Sequence, residues 1–158
     1  MMRRPAQSMS IPQRFVQEEE MADIVITKQA LDRIDSILAK MMAKCGAHTV
    51  LLIDKSGQII SFQGSMAEEK VASLAALTAA NYGATTAIAR LFGEEEFSLL
   101  FHKGKKENLH FANVGQEYLM ITVFDYGTHL GLVRLEVRKG LKEMEAMFAE
   151  HLREWFNG

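Results

Sequence analysis

The chain has 158 residues, 48% of them hydrophobic, a formal net charge of −2 and a single cysteine, Cys45. This suits one domain with a tail and a sizeable core; the slightly acidic balance, with no basic face standing out, argues against nucleic acid as the main partner, and one cysteine excludes an internal disulfide and fits a reducing compartment. No apolar run approaches the roughly 20 residues of a membrane span. Arg3 and Arg4 lack the apolar stretch of a secretory signal behind them, so the expected location is the cytoplasm.

Residues 1–22 read as a disordered N-terminal extension, and 23–156 as the folded domain. The extension is polar and aperiodic, holds Pro5 and Pro12, and carries the acidic run Glu18, Glu19, Glu20. Met21 is a second candidate start. Thr27 then fits an N-cap, and Leu31, Ile34, Leu38, Met41 and Cys45 recur at helical spacing until Gly46. Asp32, Arg33, Asp35 and Lys40 fall off that line and are expected to face water. Cys45, on the apolar face without a basic neighbour, reads as a small buried hydrophobe.

Residues 49–53 (TVLLI) predict a buried strand, Asp54-Lys55-Ser56-Gly57 a turn, and 58–62 (QIISF) its hairpin partner, ended by Gly64. Ser65 and Glu68 have the spacing of a capping box that opens a long helix. In that helix Leu74, Leu77, Ala84, Ile88 and Leu91 fall near one line, broken by Asn81, and are expected to face the core. Ala72, Ala76, Ala80, Gly83 and Ala87 form a second line of small residues only. A glycine inside a helix costs about 1 kcal/mol relative to alanine, so Gly83 implies close approach of another backbone.

Gly93 stops the helix, and Glu94, Glu95 and Glu96 read as a solvated loop. Residues 97–102 (FSLLFH), 109–114 (LHFANV) and 118–124 (YLMITVF) predict an antiparallel meander. From 128 to 155 the strand-like alternation of Val133, Leu135 and Val137 competes with a longer helical pattern through Leu130, Val133, Val137, Leu141, Met144 and Phe148. The helix is preferred for its length. The order is α-β-β-α-β-β-β-α, an α+β chain.

Positive signs of an active site are missing. Gly104-Lys105-Lys106 lacks the upstream glycine of a phosphate loop, and no G-x-S-x-G elbow is present. His102 and His110 could face each other across a hairpin, but a third ligand is not evident, and strand histidines without a metal are the better account. Arg90 is read as favoured by the helix C-terminus rather than as an inserted arginine finger. Trp155 and Phe156 fit either a fold-back onto the core or a short helical anchor for a partner groove. Neither cofactor nor metal is expected.

These elements, in this order, resemble the roadblock family, named for a dynein light chain, and within it the bacterial MglB type. The residues that carry the resemblance are VLLIDKSGQIIS, SLAALTAANYGATTAIARLFGE, GEEEF, FHKG and FDYGTHLGLVRL, across about residues 31–148. The resemblance implies a five-stranded antiparallel sheet with the long helix on one face and the terminal helices on the other. It implies a homodimer with one continuous sheet, acting on a small Ras-like GTPase of the MglA kind in bacterial polarity and motility. Activators of this type are not enzymes themselves and supply no arginine finger; they rearrange the GTPase's own residues. Positions matching Gly83 and Ala87 meet the GTPase in the family, and Ala76 and Ala80 extend that line by geometry. The N-terminal extension and the Tyr82-Gly83 pair depart from the family pattern. A roadblock-type scaffold without effect on hydrolysis is the alternative.

Overall fold

The computed structural model describes residues 27–96 and 100–157. The expected disorder of 1–22, the start of the strand at 97–99 and the side-chain roles weighed for Trp155 and Phe156 lie outside what is described. The chain forms two compact units. In the described part of one, Met1–Arg33 with Ala146–Gly158, the Arg33 guanidinium donates to Glu150 Oε1 at 3.0 Å. The other, Ile34–Glu145, holds the whole sheet.

The elements are α1 (Lys28–Cys45), β1 (Thr49–Asp54), β2 (Ile59–Gly64), α2 (Glu68–Leu91), β3 (Leu100–Lys103), β4 (Glu107–Val114), β5 (Tyr118–Asp125) and α3 (Leu130–Asn157). The five strands form one antiparallel sheet in the order β2-β1-β5-β4-β3. The expected α+β order is therefore found, and the ambiguous last segment is a helix. β1 and β5 pair from Thr49↔Val123 to Asp54↔Tyr118 and sit in the middle of the sheet. Both are almost continuously buried, as strands covered on both faces must be.

Local chemistry explains the boundaries. Thr27 caps α1: its hydroxyl oxygen accepts from the Ala30 N–H at 3.1 Å. Gly46 leaves that helix at φ +80°. The Asp54 carboxylate accepts from the Ser56 and Gln58 backbone N–H groups and the Ser56 hydroxyl, folding the β1–β2 turn. The capping box predicted at Ser65 does not form. Ser65 N–H instead donates to the His48 carbonyl, prolonging the hairpin, so α2 starts three residues later behind Ala67, which gives no side-chain cap.

One sheet face packs on α2. Val71 and Ala75 join Leu51, Ile53, Phe111, Leu119, Ile121 and Val123 in a single core cluster. Strand alternation sends Val50, Leu52, His110, Thr122 and Phe124 to the opposite face. There the parts of α1 and α3 within the same unit, residues 34–45 and 130–145, cover the sheet. Asp35 of α1, expected in water, is half-buried and accepts the Ser61 hydroxyl of β2. A Cβ on Gly140 of α3 would overlap the Met41 thioether of α1, so glycine there lets the two helices close. Lys40 and Glu143 bridge them at 2.7 Å.

Candidate partner-binding face

The site begins with how α2 is turned on the sheet. Its buried residues are Val71, Ala75, Thr78 and Ala89, with Leu74 and Tyr82 partly buried against the core. Leu74 alone of the line predicted for the core faces inward. Leu77, Ile88 and Leu91 are 69%, 49% and 82% exposed, Phe92 is 75% exposed, and Ala84 is exposed as well. That correction has a physical cause at the β1–β2 turn. Gly57, at φ +97°, rests on α2, where an added Cβ would lie 3.3 Å from Ala76 Cα and 3.4 Å from the Ala75 carbonyl oxygen. The turn thus lies close on the α2 backbone, and the side-chain atom nearest the same point is the Ala79 Cβ at 3.5 Å.

The four predicted site residues, Ala76, Ala80, Gly83 and Ala87, share one exposed stripe along α2. Ala76 has a reason for its size within the chain, because it lies under Gly57. Gly83 has none: a Cβ built there meets nothing within 4 Å. Tyr82, expected to bear on partner fit, is turned toward the core with Lys55 Nζ 4.9 Å above its ring. Beside the small stripe runs the large one: Leu77, Ile88, Leu91 and Phe92.

The large stripe, unlike the small one, was hidden in the sequence, because large apolar residues at helical spacing are expected to face a core. One available signal was charge. From Val71 to Ala89 the helix contains no charged residue. A helix segment with no charge on any side is normally covered on most of its surface, and here the described residues cover one side only.

Arg90 is exposed in the last turn of α2, and Glu94, Glu95 and Glu96 are exposed beyond it. Glu96 accepts from the Asn113 side-chain amide. Burial pushes the Cys45 thiol above its ordinary pKa, which keeps it a packing residue. His102 and His110 do not face each other. The register pairs His102 with Leu109 and His110 with Phe101, so the imidazoles lie on opposite faces, and His102 packs edge-on against Phe111 instead. Among the described residues, no group of three or more His, Cys, Asp or Glu side chains is placed to hold a metal ion. None of the described helices is long and apolar enough to cross a membrane.

The described fold is one antiparallel sheet with α2, uncharged from Val71 to Ala89, on one face. The sequence model of the Roadblock/LC7 domain matches residues 33–124, and the chain belongs to that family. Among solved structures it is similar to Myxococcus xanthus MglB, at 35% identity and a TM-score of 0.75, over 79% of this chain and 94% of that one. It is also similar to the gliding protein MglB of Thermus thermophilus, at 28% identity and a TM-score of 0.73, over 78% of this chain and 94% of that one. An MglB described with a tetrameric arrangement matches at 27% identity and a TM-score of 0.73, over 79% and 94% of the two chains. Comparison with curated proteins finds no match.

Proposed function

We propose that the chain is an MglB-type regulator, a cytoplasmic homodimer that binds a small Ras-like GTPase of the MglA kind. It stimulates GTP hydrolysis by remodelling the switch region and has no active site of its own. Bacterial polarity and motility are the setting this reading implies. The single observation that carries it is the uncharged outward face of α2, with Ala76, Ala80, Gly83 and Ala87 beside Leu77, Ile88 and Leu91. The likeness to MglB structures supports the choice of partner. A surface of this kind acts by differential binding. It must hold the hydrolysis-competent arrangement of the switch loops more tightly than the resting one, and the population moves accordingly.

The test is a single-turnover GTPase assay with an MglA-like partner and saturating amounts of this chain. Stimulation is expected; complex formation without it would leave a scaffold, and no stimulation at saturation sinks the reading. Gly83→Arg is expected to abolish stimulation. Gly83→Ala is the folding control: with open space around its Cβ it raises stability by about 0.5–1 kcal/mol in a denaturant titration. Full stimulation by Gly83→Arg would remove the small stripe from the GTPase contact.

A further inference from the structure

In one dimension the segment that forms α3 looks charge-balanced, with Glu136, Glu143 and Glu145 scattered among its basic residues. The fold separates them. Glu136 is buried and held by Lys139 at 3.3 Å, and Glu143 is taken up by Lys40 of α1 at 2.7 Å. Arg134, Arg138 and Lys142 stand four residues apart along one exposed line over about 12 Å of helix. Lys44, in the last turn of α1, is exposed too, and the residue that follows this helix lies beside the turn ahead of α3, where the Thr128 hydroxyl donates to the Gly46 carbonyl at 3.4 Å. None of these four cations makes an ion pair among the described residues. Leu132 and Leu135 flank the Arg134-Arg138-Lys142 line on one side at 41% and 43% exposure, and Tyr126, 76% exposed, stands ahead of the helix.

We propose that this face, Tyr126 through Lys142 with Lys44, docks on an anionic lipid surface. A protein partner that read these cations would need each guanidinium or ammonium held in a fixed geometry, and no side chain among the described residues holds one. Long, unpinned cations suit a diffuse layer of negative headgroups, to which each contributes about 1 kcal/mol. Leucines and an aromatic beside the cations are what an interfacial helix face presents to the headgroup–acyl boundary. Glu145 is the one exposed carboxylate of α3 near this line. The surface lies on the opposite side of the sheet from α2, so both can be occupied at once.

The test is co-sedimentation of the full chain with vesicles of phosphatidylglycerol and phosphatidylcholine, against phosphatidylcholine alone. Binding to the anionic vesicles is expected, weakening as salt is raised. Arg138→Gln with Lys142→Gln should weaken it roughly thirtyfold, at about 1 kcal/mol per cation and 1.4 kcal/mol per tenfold. Lys70→Gln with Arg90→Gln on α2 removes the same charge across the sheet and should leave binding unchanged. All four side chains are exposed, so these variants keep the wild-type melting temperature. Equal loss in both pairs would mean net charge alone and overturn the proposal. Failure to sediment with anionic vesicles, with retention on a polyglutamate column that Arg138→Gln/Lys142→Gln abolishes, would overturn it in favour of an acidic protein segment.

Discussion

His110 stands opposite Thr122 in the β4–β5 register, and neither its Nδ1 nor the Thr122 hydroxyl oxygen finds a hydrogen-bond partner among the described residues. Burial pushes the imidazole pKa from the ordinary 6.5 down to about 4, and the Arg134 charge pushes the same way. The unfolded chain therefore binds this proton near pH 6.5 and the folded chain only near pH 4. Stability from the neutral ring is complete above pH 6.5 and is lost as pH falls toward 4. Urea titrations at pH 7 and pH 5 should differ by about 1–2 kcal/mol in the wild-type chain from this group. His110→Gln should flatten that difference, and an unchanged difference would place the acid sensitivity elsewhere. The same scale shows how unevenly a glycine can be explained. Gly57 answers to Ala75 and Ala76 within the chain, whereas Gly83 answers to nothing in it.

Among the elements, α2 starts badly. Ala67 has the extended backbone of an N-cap, φ −65° and ψ 146°, yet offers no oxygen to the free N–H groups of the first turn. Ala67→Asp should supply one and add about 1 kcal/mol, seen as a higher urea midpoint at unchanged slope. No gain would mean that the first turn is already satisfied by water. The elements also show what a sequence displays and what it hides. The β1–β2 hairpin was legible because Asp54 and Gly57 have conformational duties that few residues can perform. The last helix was legible because its 3.6-residue period runs on through Gly140, far beyond any strand. Which side of α2 faces the sheet was not legible, because with no charge between Lys70 and Arg90 its hydrophobic pattern sums two apolar sides, one buried against the sheet and one exposed. The basic face of α3 was hidden for the opposite reason: Glu136 and Glu143 cancel Lys139 and Lys40 in sequence and in space, leaving Arg134, Arg138 and Lys142 unmatched only once the helices are packed.

At the scale of the whole molecule the question is whether the exposed side of α2 suffices to pair two copies. Fully burying a leucine or phenylalanine side chain is worth about 1.5–3 kcal/mol. Leu77, Leu91 and Phe92, all more than half exposed, would give roughly 5–9 kcal/mol from one copy. Association costs about 4–15 kcal/mol, so one copy's contribution is marginal. A two-fold interface uses every residue twice, which doubles the gain to roughly 9–18 kcal/mol and turns the balance toward a stable pair. The small stripe lies beside the large one and, in the proposed homodimer, would let the two helix axes come near. Leu77→Asp with Leu91→Asp should therefore break the proposed homodimer without unfolding the chain, since neither side chain is in the core. Sedimentation velocity should show the mass fall to one chain, with the far-ultraviolet spectrum unchanged. A variant that stays dimeric would move self-association off α2, to a sheet edge at β2 or β3, and leave both stripes free for the GTPase. A variant that becomes monomeric yet still stimulates hydrolysis would assign the large stripe to the second copy and the small stripe, Ala76 through Ala87, to the GTPase.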